Sequence, residues 1–520
     1  MIARSSNSDG EAATVFWMIT APATTTAYAQ LERRFHRLFA LRHALGMLEW
    51  DWSAMMPSGG AEARSEQLAA LKVVCHEEIS HPAVGELLDR AEQDGAGLDE
   101  WPRANLHEMR RMWIHETALD GRLVEAISKA RSACESCWRE ARPAADYEKV
   151  RPLLTEVLKL AREAAAAKAE KLGCAPYDAL LDEWEPGGRA ADIEPVFDRL
   201  AISLPALRER VVAHQAARGE PVRLAGPFPV ERQKALGLAV MKTLGFDFAH
   251  GRLDTSLHPF CGGVPDDVRI TTRYDEADFV KALMGVIHET GHAQYERGLP
   301  QKWRYQPVGQ ARGMSLHESQ SLLMEMQACR SRAFLEYVAP LAREQLGGSG
   351  PGWDTENLVA LYTEVRPGLI RVDADEITYP SHVILRFRLE RALIAGELDL
   401  RDLPAAWNAG MQELLGVVPP SDQDGCLQDI HWFDGAWGYF PTYTLGAMTA
   451  AQLFDAACRA DTTLLDAIGR GDFAPLLAWL RTNIHGHGSS LSTRELLTRA
   501  TGRPLDPTVF ERHLEARYLG

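Results

Sequence analysis

Phe279-Val280-Lys281-Ala282-Leu283-Met284-Gly285-Val286-Ile287-His288-Glu289-Thr290-Gly291-His292 is the stretch from which the rest of the chain can be read. Phe279, Val280, Leu283, Val286 and Ile287 recur at helical spacing and make an apolar face. Asp275 is the expected N-cap, with Asp278 in the first turn. On a helix, residues i and i+4 lie on one side, so the imidazoles of His288 and His292 can converge on one metal ion. Glu289 sits beside that side, where a carboxylate can take a proton from a metal-bound water. H-E-x-x-H in this setting is the ligand-and-base arrangement of a zinc peptidase. Two surface histidines on an amphipathic helix would share the spacing but not the chemistry.

A catalytic zinc takes three protein ligands and leaves one position open. The metzincin pattern would need glycine at 295 and histidine at 298; the chain has Tyr295 and Gly298. The third ligand therefore comes from elsewhere. Ser315-Leu316-His317-Glu318-Ser319-Gln320-Ser321 opens a second helical run, Leu322 to Val338, and Glu318 is its first candidate. His317 and Glu325 are rivals. Ser315 and Glu318 also match an S-x-x-E capping box, which would tie Glu318 to its own helix terminus.

The composition is that of an ordinary globular chain, 46% apolar and 25% charged over 520 residues. The formal net charge of −16 disfavours nucleic acid and anionic membranes as partners. No apolar run approaches the ~20 residues needed to span a bilayer. The eight cysteines are scattered, and Cys134-x-x-Cys137 lies in a helical pattern without a second pair, so reduced cysteines in a cytoplasmic protein are expected. Residues 1–27 read as an extension, disordered or carried by a misassigned start with Met18 as the initiator. Asp9 and Glu11 outnumber Arg4 ahead of its apolar patch, against a signal peptide. Residues 28–520 read as one catalytic domain.

Helical patterns dominate from Tyr28 onward. Leu31–Leu48, Ala61–Ile79 and Tyr147–Leu172 read as helices, and Asn105–Ala141 as one or two. One segment departs from this. Asp267-Val268-Arg269-Ile270-Thr271-Thr272-Arg273-Tyr274 alternates and is β-branched, which predicts a short strand leading into the metal helix. A strand edge there could hold an extended peptide by main-chain hydrogen bonds.

These residues fall into a set of ordered motifs. They are His258-Pro259-Phe260, Asp267 to Thr271, His288 to His292, His317 to Gln320, Ile370-Arg371-Val372-Asp373-Ala374-Asp375 and Gly425 to Trp432, the last followed by Gly438 to Tyr443. Leu48 to Trp52 with Met56-Pro57 precedes them. In this the chain resembles the carboxypeptidase Taq (M32) family of metallocarboxypeptidases from about Tyr28 to its end. The resemblance implies a mainly α, zincin-like (gluzincin) fold with a deep central groove and a small β element beside the H-E-x-x-H helix. It implies a homodimer acting on peptides with a free C-terminus, removing residues stepwise with broad specificity. It also assigns His288, His292 and Glu318 as metal ligands and Glu289 as the base.

Tyr439 and His431 lie in motifs that wall the groove in similar enzymes and are candidate oxyanion donors; both could instead be packing residues. Carboxylate recognition suits a guanidinium. Arg371 is the candidate, against a structural pairing with Asp373 or Asp375, and with Arg269 and Arg273 as rivals. His258 joins Arg269 as a substrate-binding candidate. Zinc is the expected metal, and the same donors accept cobalt or manganese. Two other functions fit the pentad: a zinc oligopeptidase or endopeptidase, and an inactive peptide-binding scaffold, which would have no need of Glu289.

Overall fold

The computed structural model describes residues 26–520. The expectations placed on the first 25 residues lie outside the described residues.

Helices α1 (Ala27–Ala54), α2 (Ala61–Ser80), α3 (Pro82–Gln93) and α4 (Glu100–Thr117) open the described chain and share a core around Leu31, Phe35, Leu88 and Met109. α5 (Gly121–Ala141), α6 (Tyr147–Leu172), α7 (Pro176–Trp184) and α8 (Ala190–Arg218) follow. Then come α9 (Val230–Thr243), the strands β1 (Gly251–Thr255), β2 (Cys261–Val264) and β3 (Asp267–Thr272), and α10 (Phe279–Gly298). α11 (Gly313–Leu322), α12 (Arg332–Leu346), α13 (Thr355–Tyr362), α14 (Tyr379–Ala395) and α15 (Leu403–Leu415) continue the chain. It ends with α16 (Pro441–Ala460), α17 (Leu464–Gly469), α18 (Ala474–Asn483), α19 (Thr493–Thr501) and α20 (Pro507–Leu519). No helix among the described residues is long and apolar enough to cross a membrane.

The local chemistry explains where these helices stop. Asp146 accepts from Lys149 N at 3.0 Å to start α6, and Gly173 ends it in the left-handed region at φ 64°. That helix runs as its periodicity predicts. The pattern from Asn105 to Ala141 is cut in two because Asp120 caps α5, accepting from Leu123 N at 2.7 Å. The run from Leu322 to Val338 is broken: a π-helical turn, Leu323–Ala328, separates α11 from α12. All eight cysteines are unpaired, Cys134 and Cys137 among them, both within α5.

Two large apolar cores meet along α16. Leu445, Met448 and Ala451 face a core built on α6, α8, α14 and α15. Ala450, Leu453 and Ala457 face one built on α9, α10, α12 and α18. Elements from both sides are thereby held at one place, beside α10 and α11.

The sheet has the order β1-β3-β2, with β1 parallel and β2 antiparallel to β3. Val268 and Ile270 of β3 are buried with Met241 of α9 and Val286 and Ala293 of α10, so the alternation puts one face of the strand on α10. β3 is the central strand, paired on both sides. Its main-chain groups are used within the sheet, and a peptide cannot add to it. The edge expected there falls instead on β1 and β2.

Candidate active site

The metal helix begins at Asp278, which accepts from Val280 N at 2.9 Å. Asp275 turns the preceding loop instead, accepting from Ala277 N at 2.8 Å. The sequence placed the cap one turn too early because both aspartates suit the position. Two turns and more into α10, His288 and His292 face α11, and Glu318 meets them from that helix. Glu318 Oε2 lies 3.5 Å from His292 Nε2 and 3.9 Å from His288 Nε2. These three residues are the one His/Cys/Asp/Glu group among the described residues whose donor atoms lie close enough together, within 4.8 Å, to hold an ion.

The donors fit a tetrahedral zinc. Ligand bonds of about 2.0–2.1 Å put neighbouring ligand atoms roughly 3.4 Å apart, close to the spacings found. The electrostatics also favour a cation. Burial opposes a charge on His288, but the Glu325 hydrogen bond and the Glu318 charge prevail and push its pKa up to about 10. His292 is held well below the ordinary range by burial and by the nearby histidines, so it is neutral as a ligand must be. Burial raises Glu289 to about 7 and also raises Glu318. Without an ion, the hydrogen bond to Glu325 and the charges of Glu318 and Glu289 hold a proton on His288, so the group attracts positive charge.

Glu325 lies outside this group of three. It sits on the π-helical turn, where Oε2 accepts from His288 Nδ1 at 2.9 Å and Oε1 accepts from Arg330 at 2.7 Å. It fixes the His288 ring with Nε2 toward Glu318, the orienting role that outer carboxylates play for metal-bound histidines. His317 is also outside the ligand group, its Nε2 2.9 Å from Glu296. The capping box does not form. Arg312 is the N-cap of α11, Ser315 lies within the helix, and Glu185 instead accepts from Ser315 N at 3.2 Å.

Two glycines set the approach of the helices. A Cβ on Gly291, inside the pentad, would lie 2.5 Å from Gln320 O and 2.6 Å from Ser321 Cα of α11. A Cβ on Gly446 of α16 would lie 2.9 Å from Glu318 Cβ and 3.0 Å from its Cγ. The pentad helix and α16 therefore close on α11 from two sides only because both positions lack a side chain.

Arg371 is 4% exposed. Its Nε and Nη2 donate to Asp429, at 3.1 and 2.8 Å to Oδ1, and its Nη1 donates to Tyr379 Oη at 2.6 Å. Asp429 also accepts from Arg386 Nε at 2.6 Å. The alternative for Arg371, a structural pairing with Asp373 or Asp375, does not form; the pairing is with Asp429. Asp375 accepts from the backbone of Arg366, Ile377 and Thr378, and Asp373 stands 3.8 Å from Lys281. Two guanidiniums share one carboxylate, so the group keeps a net positive charge. That charge reaches Glu318.

Tyr439, Tyr443 and Tyr379 line the same region, and the Glu318 charge adds to burial in raising all three phenols. Tyr439 packs edge-on against Trp184 at 4.9 Å and against Tyr443 at 5.1 Å. His431 is pushed down to about 4 by burial and so is neutral, with Nε2 3.4 Å from Tyr443 Oη. Asp429, Tyr443, Tyr379 and Glu325 carry roles that the sequence reading did not give them. Asp429 and Tyr443 lay inside quoted motifs, whereas nothing in the sequence marks Tyr379. The structure leaves the other candidates outside this cluster. Arg269 pairs with Asp267 at 2.6 Å and stacks on Trp50 at 4.5 Å. His258 and Arg273 are exposed, and no hydrogen bond or ion pair engages either side chain.

The sequence profile described as carboxypeptidase Taq (M32) metallopeptidase matches residues 30–518. Thermostable carboxypeptidase 1 of Thermus thermophilus is 40% identical over 501 residues, spanning 93% of this chain and 97% of the relative. Carboxypeptidase 1 of Bacillus subtilis is 32% identical, spanning 93% and 96%. Metallocarboxypeptidase 1 of Trypanosoma cruzi superposes with a TM-score of 0.93 at 42% identity, covering 95% of this chain and 99% of that one. The M32 carboxypeptidase of Deinococcus radiodurans gives 0.90 at 36%, covering 95% and 98%. The chain therefore belongs to the carboxypeptidase Taq (M32) family and is a metallocarboxypeptidase.

Proposed function

We propose that this protein is a zinc-dependent carboxypeptidase that removes C-terminal residues from peptides one at a time, with broad specificity. The observation that carries the reading is the convergence of His288, His292 and Glu318, with Glu289 buried beside them. Zinc held by those three residues supplies Lewis-acid polarisation of the scissile carbonyl and acidifies water. Glu289 takes the proton as water attacks the carbonyl carbon. It returns that proton to the amide nitrogen as the C–N bond breaks, giving a free amino acid and a peptide one residue shorter. The burial that lifts Glu289 towards neutrality suits it to both transfers.

Tyr439 and His431 donate to the developing oxyanion, His431 as a neutral imidazole with a proton to give. Arg371, held rigid by Asp429, draws the substrate's C-terminal carboxylate with the charge that Asp429 leaves unbalanced. His258 and Arg269 contact the peptide further out. The catalytic unit is residues 28–520, working as a cytoplasmic homodimer.

The test is metal analysis of the purified protein combined with mass spectrometry of a digested peptide mixture. The reading expects about one zinc per chain and ladders of products shortened from the C-terminus. Internal fragments, or full activity with no bound metal, would refute it.

A further inference from the structure

Three side chains of α20 converge on one carboxylate, that of Glu376, which is 5% exposed. Its Oε1 lies 2.8 Å from His513 Nε2, and its Oε2 accepts from Tyr518 Oη at 3.1 Å and from Arg517 Nη1 at 3.0 Å. Gln327 of the π-helical turn completes the set, donating from Nε2 to Oε1 at 3.1 Å. The helix that brings these groups is well anchored. Phe510 and Leu514 are buried in the core built on α6, α8, α14 and α15, and Asp506 caps its start, accepting from Thr508 N at 2.9 Å.

Arg517 does more than pair with Glu376. The same Nη1 donates to Met326 O, and Nη2 donates to Gln327 O at 3.2 Å. Both carbonyls belong to the π-helical turn, and the chain leaves the helical path after Ala328. Carbonyls at a helix end lack the N–H groups of a following turn and are met from elsewhere. Here a guanidinium, whose flat fork presents several N–H groups at once, meets both. Arg517 thereby ties the turn to Glu376, the residue that follows the Ile370–Asp375 motif.

Glu325 belongs to the same turn and directly precedes Met326. Its Oε2 accepts from His288 Nδ1 at 2.9 Å. Such turns are rare, single insertions in α-helix. Closing this one to ordinary helix would rotate one flank against the other by one residue's step, roughly 100°, and carry Glu325 away from His288. We infer that Arg517 is a positioning residue for the metal site: it fixes the π-helical turn so that Glu325 holds the His288 ring in its metal-binding orientation. The inference rests on the reading of His288, His292 and Glu318 as zinc ligands. It places part of the control of that site in a helix that supplies none of them.

The test is the zinc affinity of the full-length protein, measured by competition with a chelator, in a double-mutant cycle of Arg517→Ala and Glu325→Ala. Arg517→Ala should lower the affinity ~10-fold, the lower end of what is lost with a partner that orients a ligand. In the Glu325→Ala background the same substitution should change it less than about 2-fold, because the group it acts through is gone. If Arg517→Ala does not fold, Arg517→Lys takes its place in the cycle. It keeps the charge beside Glu376 and loses the fork, so a smaller loss that again needs Glu325 is expected. Unchanged affinity in the Arg517 variant would overturn the inference. So would an equal loss with and without Glu325, which would mean that Arg517 only braces the fold. His292→Ala separates this from the ligand reading. If it abolishes zinc binding while the Arg517 variant binds zinc as the wild type does, the inference alone fails. If it binds zinc at wild-type affinity, the ligand reading fails and takes the inference with it.

Discussion

Glu318 reaches two imidazoles from a helix that neither of them occupies, and the whole site turns on that one carboxylate. Glu318→Ala should release the metal on dialysis, while Ser315→Ala should keep it, because no capping box links the two residues. Metal content of the two dialysed variants checks this, and equal retention would reject Glu318 as a ligand. Arg371 is a different case, since its guanidinium also holds Asp429. Arg371→Ala should lower kcat/KM for free-acid peptides ~30- to 1,000-fold, the worth of a charge-assisted contact in a dry site. The wild type should discriminate against C-terminally amidated peptides by a similar factor, and the variant should lose most of that discrimination. Equal loss on both substrates would mean that Arg371 only braces the wall.

At the scale of the element, the site depends on how closely α10 and α16 pack on α11. Gly446→Ala would press a methyl group into the Glu318 side chain near its root, where no rotamer change relieves it. It should lower metal affinity ~10- to 100-fold, the usual effect of disturbing what orients a ligand. Competition with a chromogenic chelator measures this, and an unchanged affinity would show that α16 yields.

These elements were unequally legible. α6 could be read to its ends because Asp146 and Gly173 are local signals. The π-helical turn could not, since Leu323 to Ala328 carries the composition of ordinary helix and its extra residue per turn is decided by packing. That turn is what brings Glu325 to His288, so its role as a brace was hidden. The closeness of His288, Glu289 and His292 was legible because they share one helix. Glu318 needed the family resemblance to rank above His317 and Glu325, because the pairing of α10 with α11 is tertiary. Asp429 lies 58 residues from Arg371 in sequence, beyond any local pattern.

Across the whole molecule, acid stability should follow histidines buried far from solvent. Burial pushes His382 and His485 down to about 3. Their unfolded values are near 6.5, so below that pH the unfolded chain binds more protons and stability falls as pH falls. Each group can contribute up to ~1.4 kcal/mol per pH unit between about 6.5 and 3. Denaturant midpoints of the metal-free protein at pH 7 and 5.5 should therefore differ clearly, and His485→Gln should flatten the difference. Equal slopes in variant and wild type would remove His485 from the account.

The most direct measurement is made on Glu289→Gln, with metal content and turnover read from one sample. The carboxamide keeps the shape of the side chain but cannot accept the proton. The variant should hold metal as the wild type does and lose ~10²- to 10⁴-fold in kcat. A variant that keeps its metal and retains more than about a tenth of wild-type kcat would contradict the role of Glu289 as the base.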